Sequence, residues 1–281
     1  MQYQQHTLSN CSINCNGRLI DLSTPKLMGI LNITPDSFSD GGKFLNEKSA
    51  LLQAEKMIND GADFIDIGAQ STRPNAELCS AKDEIARLGS IISLIKKEFP
   101  KTLISLDTFY ADVVKFGFDE GIDLVNDISG GDFDEDLLKT VAETKLPYVL
   151  MHSNAAYENL HQKIDYDDII LNLNYYFSKK IEELKAIGIN DIILDPGFGF
   201  GKTIEVQYRM IDELQYIGFG KLPLLVGISR KSFIYKPLNK SPLEIGEETL
   251  NLHRKLLEKG AKILRVHDVK QAKILLDELK N

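Results

Sequence analysis

The sequence predicts an α/β protein, a single (β/α)8 TIM barrel preceded by an N-terminal β-hairpin. Eight times along the 281 residues, a short apolar, β-rich run ends abruptly in a polar or charged residue. The segments between the runs mostly have the pattern of amphipathic helices, and this alternation favours a parallel sheet. Eight such units fit a closed barrel, whose active site lies at the C-terminal ends of the strands. The runs are KLMGILNIT, DFIDIGA, LISLDT, DLVNDIS, YVLMHS, IILDPG, LLVGISRK and KILRVHDV.

A hairpin precedes the first strand, and a helix follows each strand. In CSINCNGRLIDL, two alternating runs flank Asn16 and Gly17, a dipeptide typical of tight hairpin turns. We expect residues 1–25 to form this hairpin below a barrel of residues 26–281. No linker divides the chain, so one domain over 1–281 is the simpler interpretation. The predicted helices cover 47–60, 80–98, 110–120, 134–144, 166–187, 203–214, 243–258 and 270–280.

Two connections are longer than a barrel needs, namely residues 35–46 after the first strand and residues 70–79 after the second. Both are rich in Gly, Pro, Ser, Asp and Asn. Long loops at a barrel mouth are usually lids or substrate loops, and an ordered surface connection is the alternative.

Charge and cysteine content exclude several classes of protein. The net charge of -8 and the pI near 5.3 do not suit a nucleic-acid partner, which requires a basic surface. Three cysteines, with no signal peptide and no long apolar segment, indicate a protein of the reducing cytoplasm without membrane contact. Cys11 and Cys15 lack a second pair at zinc spacing, so a metal site there is the weaker interpretation.

Polar residues end three of the predicted strands and suit a flat heterocycle. Asp107, Asn126 and Asp195 end the third, fourth and sixth strands. A carboxylate facing two donors of a guanidine-like ring edge forms charge-assisted hydrogen bonds, each worth roughly 1.5–3 kcal/mol. For each residue alone, capping of the next helix or turn is the alternative.

Basic residues gather at strand ends and adjoining loops of this acidic chain, which indicates a small anionic substrate. Arg265 and His267 lie two apart in one strand, so their side chains leave the same face and suit a doubly charged group such as a pyrophosphate leaving group. For His267, a satisfied strand-end histidine is the alternative. Asn32 could offer an oxygen to Mg²⁺, which needs few protein ligands. The basic residues are Arg73, Arg230, Lys231, Arg265 and His267.

The segment GFGFGKT after the sixth strand is not a Walker loop. Gly197 and Gly201 enclose three residues, whereas the Walker pattern needs four before its Gly-Lys pair. These glycines are better explained by a close approach of the backbone and Phe200 to a flat ligand.

Along nearly its whole length the chain resembles the dihydropteroate synthase family. GILNITPDSFSDGG and DIGAQSTRP resemble the two signature loops of the family. LDT, VNDISGG, LMH, ILDPGFGFGKT, VGISRKSF and ILRVHDV follow in the family's order. The sequence departs from the family at Ala69, Gln70 and Asn75, after His152, and over 239–251.

The resemblance implies a transferase that joins a dihydropterin pyrophosphate to p-aminobenzoate, with Mg²⁺ as cofactor, sulfonamides as inhibitors and a homodimer as its state. It implies that the anion is bound by Asn32, Arg73, Arg265 and His267. It places the aminobenzoate pocket at Asp36, Phe38, Ser71, Thr72, Arg73, Pro74 and Lys231. It assigns pterin binding to Asp107, Asn126, Ile128, Met151, Asp195, Phe200, Lys231 and Arg265. The residues expected to take part in catalysis are Asp107, Asp195, Lys231, Arg265, His267 and Arg73.

Two alternatives remain at this point. A pterin-dependent methyltransferase domain would share the barrel and the pterin-edge carboxylates, but it would not need the SRK or STRP residues. A catalytically silent paralogue could bind pterin as a scaffold or sensor, although loss of the anion site would be the simplest route to silence, and Arg73, Lys231, Arg265 and His267 are all present.

Overall fold

Eight parallel strands close into a barrel with helices outside it, as the sequence predicts. The computed structural model describes residues 11–33, 43–71, 76–153, 157–220 and 222–280. The barrel strands are short apolar runs, as is typical of a parallel sheet covered on both faces. The strands are β1 (Ser12–Cys15), β2 (Arg18–Asp21), β3 (Lys26–Asn32), β4 (Phe64–Gly68), β5 (Leu103–Asp107), β6 (Leu124–Asp127), β7 (Tyr148–Met151), β8 (Ile192–Asp195), β9 (Leu225–Val226) and β10 (Ile263–Val266).

The barrel closes at its shortest strand. The strands follow the order β8-β7-β6-β5-β4-β3-β10-β9. A parallel bridge between Leu194 of β8 and Leu224, just before β9, completes the ring. The run LLVGISRK therefore contributes a strand where predicted, but only two of its residues, Leu225 and Val226, are paired as a strand.

Apolar side chains fill the lower half of the barrel. One residue from each strand is buried in a common cluster at this level, namely Met28, Phe64, Leu103, Leu124, Val149, Ile193, Leu225 and Ile263. Below them pack Ile13, Cys15 and Leu22, which belong to or adjoin the antiparallel hairpin formed by β1 and β2. The predicted hairpin is confirmed, and it covers the lower end of the barrel.

The helices lie where the periodicity predicts them, except that one predicted helix is divided and a short helix over Ser232–Tyr235 was not predicted. The predicted helix over 80–98 is two helices, because Gly89 has a φ of 52° and ends the first. Side-chain oxygens of Ser80, Asp168 and Thr203 accept backbone N–H groups at the starts of their helices. The helices are α1 (Lys43–Asn59), α2 (Ala81–Leu88), α3 (Ile91–Glu98), α4 (Ala111–Glu120), α5 (Leu137–Thr144), α6 (Ile169–Ala186), α7 (Ile204–Asp212), α8 (Ser232–Tyr235), α9 (Gly246–Glu258) and α10 (Val269–Glu278), with 3-10 turns at Tyr157–Asn159 and Leu214–Gly220.

Other helix boundaries differ from the prediction by a few residues, as helix ends usually do. α1 begins at Lys43 rather than at 47, and α9 begins at Gly246 rather than at 243. Within the described ranges, every helix is too short or too polar to cross a bilayer.

Candidate active site

The upper half of the barrel interior is polar. Side chains of a strand alternate between its two faces, so the residue two positions beyond each apolar interior residue faces the interior again. At this higher level the barrel carries two carboxylates, a guanidinium, an amide and a hydroxyl above the apolar floor. The residues at this level are Ile30, Asp66, Ser105, Asn126, Met151, Asp195, Gly227 and Arg265.

Arg265 is fixed between two carboxylates. Its Nε donates to Asp66 Oδ2 and its Nη2 donates to Asp107 Oδ2, both at 2.6 Å. Ser105 Oγ donates to Asp66 Oδ1 at 2.5 Å, and Asn126 Nδ2 donates to Asp66 Oδ2 at 3.2 Å. Charge-assisted hydrogen bonds from two nitrogens fix the plane of a guanidinium as well as its position. The network joins side chains of β4, β5, β6 and β10 into one rigid group.

Asp66 is a site residue that the sequence prediction missed. It lies in the middle of β4 rather than at its end, and it is 0 % exposed. A carboxylate this deeply buried requires charged and hydrogen-bonding partners, and Arg265 supplies the opposite charge. The available signal was spacing, because Asp66 follows the interior residue Phe64 by two positions.

Asp107, at the end of β5, is the second carboxylate that binds Arg265. Burial raises the pKa of its carboxyl, and the Arg265 guanidinium acts in the opposite direction. Gly68 lies beside it in the parallel register of β4 and β5. A Cβ at Gly68 would lie 3.3 Å from Asp107 Cβ, so glycine at this position avoids a close contact with the Asp107 side chain.

Asp195 and Lys231 are a second electrostatically linked pair in the mouth. Burial raises the pKa of the Asp195 carboxyl, and the nearby Lys231 ammonium lowers it in part. Burial also lowers the pKa of Lys231 to about 8, against the influence of Asp195. Lys231 Nζ donates to the carbonyl of Phe198 and lies 4.5 Å from the centroid of the Phe200 ring. The pair therefore offers an acceptor and a donor beside an aromatic face.

The loop of GFGFGKT is held by side chains on both sides. Gly199 has a φ of 85°, and a Cβ there would lie 2.6 Å from Lys231 Cδ, so glycine lets the lysine stem pack on the backbone. Gln207 Oε1 accepts from Gly199 N at 2.7 Å, and its Nε2 donates to Lys202 O at 3.1 Å. Lys202 Nζ donates to the carbonyl of Gly197 at 3.0 Å. Burial lowers the pKa of Lys202 to about 7.

The remaining described residues of the predicted site surround this polar level. His267, two residues beyond Arg265, has its Nδ1 3.0 Å from Ser229 Oγ. Arg230, which the sequence groups with the anion site, instead pairs with Asp268 at 2.9 Å. The predicted site residues that the structure brings to the mouth are Asn32, Ser71, Asn126, Ile128, Met151, Phe200 and His267, together with Asp107, Arg265, Asp195 and Lys231.

Several predicted residues lie outside the described residues. They belong to the two long connections after β3 and β4, and the roles assigned to them stay predictions. They are Asp36, Phe38, Thr72, Arg73 and Pro74.

The donor set suits a magnesium ion brought by a phosphorylated ligand. The described part of the chain contains no group of three or more His, Cys, Asp or Glu side chains able to hold a metal. The predicted ligand Asn32 offers a single half-buried amide at the end of β3. Mg²⁺ keeps several waters and binds substrate phosphates, so one protein oxygen is compatible with it.

Known proteins resemble this chain over most of its length. The model of the family described as "Pterin binding enzyme" matches residues 28–267. The dihydropteroate synthase of Synechocystis is 43% identical over 249 residues, covering 86% of this chain and 85% of that protein. The dihydropteroate synthase of Escherichia coli K12 is 40% identical over 257 residues, covering 91% of this chain and 90% of that protein.

Solved structures agree with the sequence comparison. The dihydropteroate synthase of Xanthomonas albilineans with 4-aminobenzoic acid has a TM-score of 0.89 and is 30% identical, covering 97% of this chain and 98% of that one. The Yersinia pestis dihydropteroate synthase with a sulfonamide drug has a TM-score of 0.89 and is 38% identical, covering 96% and 98%. The chain therefore belongs to the pterin-binding enzymes and, within them, to the dihydropteroate synthases, the transferases that form dihydropteroate in folate biosynthesis.

Proposed function

We propose that the barrel mouth binds hydroxymethyl-dihydropterin pyrophosphate by its ring edge and joins it to p-aminobenzoate. The observation that carries this proposal is the polar level, where Arg265 lies between Asp66 and Asp107, with Asn126 in the same network and Asp195 across the barrel. Carboxylates and an amide can accept from and donate to the guanidine-like edge of a pterin. Apolar side chains beside them suit its flat face, namely Ile128, Met151 and Phe200.

The chemistry that suits this site is dissociative. The bond between the pterin methylene carbon and the pyrophosphate oxygen breaks first, and the oxygen keeps the electron pair. The cationic methylene pterin that results is stabilised by ring conjugation and by nearby carboxylate. The aromatic amine of p-aminobenzoate then forms the C–N bond and loses a proton, which gives dihydropteroate and pyrophosphate. No protein nucleophile takes part.

The cations of the site have distinct tasks in this proposal. Arg265 is fixed before substrate arrives, so it loses little conformational entropy when it stacks on the ring and faces the growing negative charge of the leaving group. Lys231 can move from the Phe198 carbonyl to the substrate. His267 and Arg73 add donors for the pyrophosphate. Asn32 would hold a bound Mg²⁺, which would supply positive charge to the pyrophosphate.

The setting of the enzyme also belongs to the proposal. Cys11, Cys15 and Cys79 are free thiols, which supports a reducing cytoplasm. A homodimer is supported by exposed apolar side chains on α6 and on the adjoining 3-10 segment, and the solution mass of the purified chain tests it. These side chains are Leu171, Tyr175, Tyr216 and Phe219.

Measuring product and leaving group together tests the function. The purified chain is mixed with hydroxymethyl-dihydropterin pyrophosphate and Mg²⁺, with and without p-aminobenzoate. We expect pyrophosphate release matched by dihydropteroate formation, and inhibition by a sulfonamide that competes with p-aminobenzoate. Tight pterin binding without release would instead favour a silent pterin-binding paralogue.

The Arg73→Ala variant tests the second signature loop. The resemblance assigns the positive charge of Arg73 to the leaving group, whereas it assigns the pterin edge to side chains of β5, β6 and β8. We expect pterin affinity within about twofold of wild type and turnover lowered by about a hundredfold or more, the range seen on loss of one transition-state donor. Wild-type turnover in this variant would remove the loop from catalysis.

The pH dependence should report Lys231. Its pKa is lowered to about 8 by burial, so the charged form predominates below that pH and the neutral form above it. We expect kcat/KM for the pterin substrate, which reports groups of the free enzyme, to fall as pH rises through about 8. Lys231→Met should abolish this fall, whereas Lys202→Met should retain it. If the decrease in kcat/KM disappeared in Lys202→Met and remained in Lys231→Met, the titrating group would be Lys202 rather than Lys231.

A further inference from the structure

Gln70 joins the two ends of a signature loop. It follows β4 directly after Ala69 and is 8 % exposed. Its Nε2 donates to Ser71 O at 2.7 Å and to Glu77 O at 3.1 Å, and its Oε1 accepts from Cys79 N at 2.8 Å. One side chain thus holds the chain where it leaves β4 and where it returns towards α2.

The chemistry of Gln70 determines which of its amide atoms faces which partner. Two carbonyls require the NH₂ group, and one backbone N–H requires the oxygen, so only one orientation satisfies all three. Glutamate at this position would place an acceptor against the carbonyls of Ser71 and Glu77. The glutamine is therefore matched to its surroundings in this chain.

Tyr157 adds a second connection from the opposite side of the mouth. It comes from the 3-10 turn after β7, and its hydroxyl lies 2.9 Å from Gln70 Nε2 and 3.0 Å from Ser71 O. The hydroxyl can donate to the Ser71 carbonyl, and the two hydrogens of the Gln70 NH₂ group are shared among three acceptors, namely Ser71 O, Glu77 O and Tyr157 Oη.

The Tyr157 ring is itself anchored. Its centroid lies 5.8 Å from that of Phe109, which follows β5, and 6.1 Å from that of Phe133, which follows β6. Phe109 and Phe133 also contact each other edge to face at 5.3 Å. Aromatic pairs at these separations are favourable. The connections after β4, β5, β6 and β7 are thereby linked through one side chain.

We propose that Gln70 and Tyr157 form a positioning clamp that sets Ser71 for the p-aminobenzoate half of the reaction. Within the described part of the chain, the hydrogen bonds and ring contacts of Gln70 and Tyr157 given above do not include the Arg265 network or Asp195, so we assign the clamp to the second substrate rather than to the pterin. This inference rests on the proposed function, together with the expectation from the resemblance that Ser71 lines the aminobenzoate pocket.

A double-mutant cycle tests the clamp. Tyr157→Phe removes the hydroxyl and keeps the ring, Gln70→Glu keeps the shape and removes the NH₂ group, and the double variant combines them. Tyr166→Phe is the matched control, because the Tyr166 hydroxyl, in the same connection after β7, is buried without a partner among the described residues. Kinetics are measured separately for each substrate at saturation of the other.

We expect each clamp variant to raise KM for p-aminobenzoate by about fivefold to tenfold, the range expected for the loss of one or two buried hydrogen bonds. The dissociation constant of the pterin substrate should stay within twofold of wild type. The double variant should be less impaired than the product of the single effects, since both changes break the same contact. Tyr166→Phe should match wild type.

Hydrogen exchange gives a readout that does not depend on activity. The Cys79 amide donates to Gln70 Oε1, and a further clamp variant, Gln70→Ala, removes this acceptor, so peptides covering residues 76–80 should exchange about threefold faster or more in Gln70→Ala than in Tyr166→Phe. Clamp variants that match the control in both kinetics and exchange would overturn the clamp, as would an equal loss of pterin affinity. If wild type forms no dihydropteroate, the proposed function fails, and unchanged exchange would then refute the clamp independently.

Discussion

Asp66→Asn should reduce kcat/KM for the pterin substrate by about a hundredfold or more and lower the stability of the fold. The substitution keeps the size of the side chain and removes its charge. Of its two ion-pair partners among the described residues, Arg265 would then keep only Asp107, inside a network where Asp66 is 0 % exposed. Removing one partner of a buried pair costs about 3–5 kcal/mol, because the remaining charge is left uncompensated. At 1.36 kcal/mol for each tenfold, this range corresponds to roughly two to four orders of magnitude in the equilibrium constant between folded and unfolded protein.

A carboxylate at the opposite end of the barrel provides the control. Asp123 lies just before β6, is 2 % exposed, and pairs with Arg18 at 2.9 Å and with Lys96. Asp123→Asn should therefore cost stability by the same mechanism and leave pterin affinity unchanged. Denaturant titration and calorimetric pterin binding separate the two effects. If both variants lose stability equally and neither loses pterin affinity, Asp66 supports the fold alone.

Asp195→Asn should weaken pterin binding by at least about a hundredfold while the fold remains. A carboxylate that accepts two donors of the pterin edge provides two charge-assisted hydrogen bonds of roughly 1.5–3 kcal/mol each. An asparagine can accept only one of them, because its NH₂ group would face a donor. The contact from Gly197 N to Oδ1, at 2.8 Å, is one that asparagine can keep. Unchanged pterin affinity in Asp195→Asn would contradict this assignment.

Asp127 is the matched position for this second variant. It also lies at a strand end, in β6, and is 0 % exposed. Its Oδ2 accepts from Tyr148 Oη and from Ser129 Oγ, at 2.5 Å and 2.9 Å, so it serves the turn after the strand. We expect Asp127→Asn to lower the unfolding temperature and to leave pterin binding within about twofold, the reverse of the Asp195→Asn result.

The sequence predicted the barrel because each strand is an apolar run closed by a polar residue, and such runs can be recognised locally. Asp107, Asn126 and Asp195 were found for the same reason, since each stands at the end of its run. Asp66 was missed because it is enclosed by Ile65 and Ile67, both buried. Its spacing from Phe64 is a local signal, but that spacing becomes informative only when the barrel register shows that Phe64 faces inward.

The break at Gly89 and the clamp of Gln70 show two other limits. A single glycine inside an apolar periodicity is compatible with a continuous helix, and only the φ of 52° distinguishes the two cases. Gln70 was noted in the sequence as a departure from the family. Its partner Tyr157 is 87 positions away in the chain, and a contact at that separation follows from topology rather than from motif.

The hairpin below the barrel makes the mouth the exit as well as the entrance. Ile13, Cys15 and Leu22 seal the floor with apolar side chains, so in this part of the molecule no polar path leads out beneath the pterin level. A ring bound at that level is covered by whatever binds after it. The substrate that binds deepest must then bind first and be released last. If the pterin binds at this level as proposed, we therefore expect pterin pyrophosphate to bind before p-aminobenzoate and the pterin end of the product to leave last, an order that product-inhibition kinetics would check.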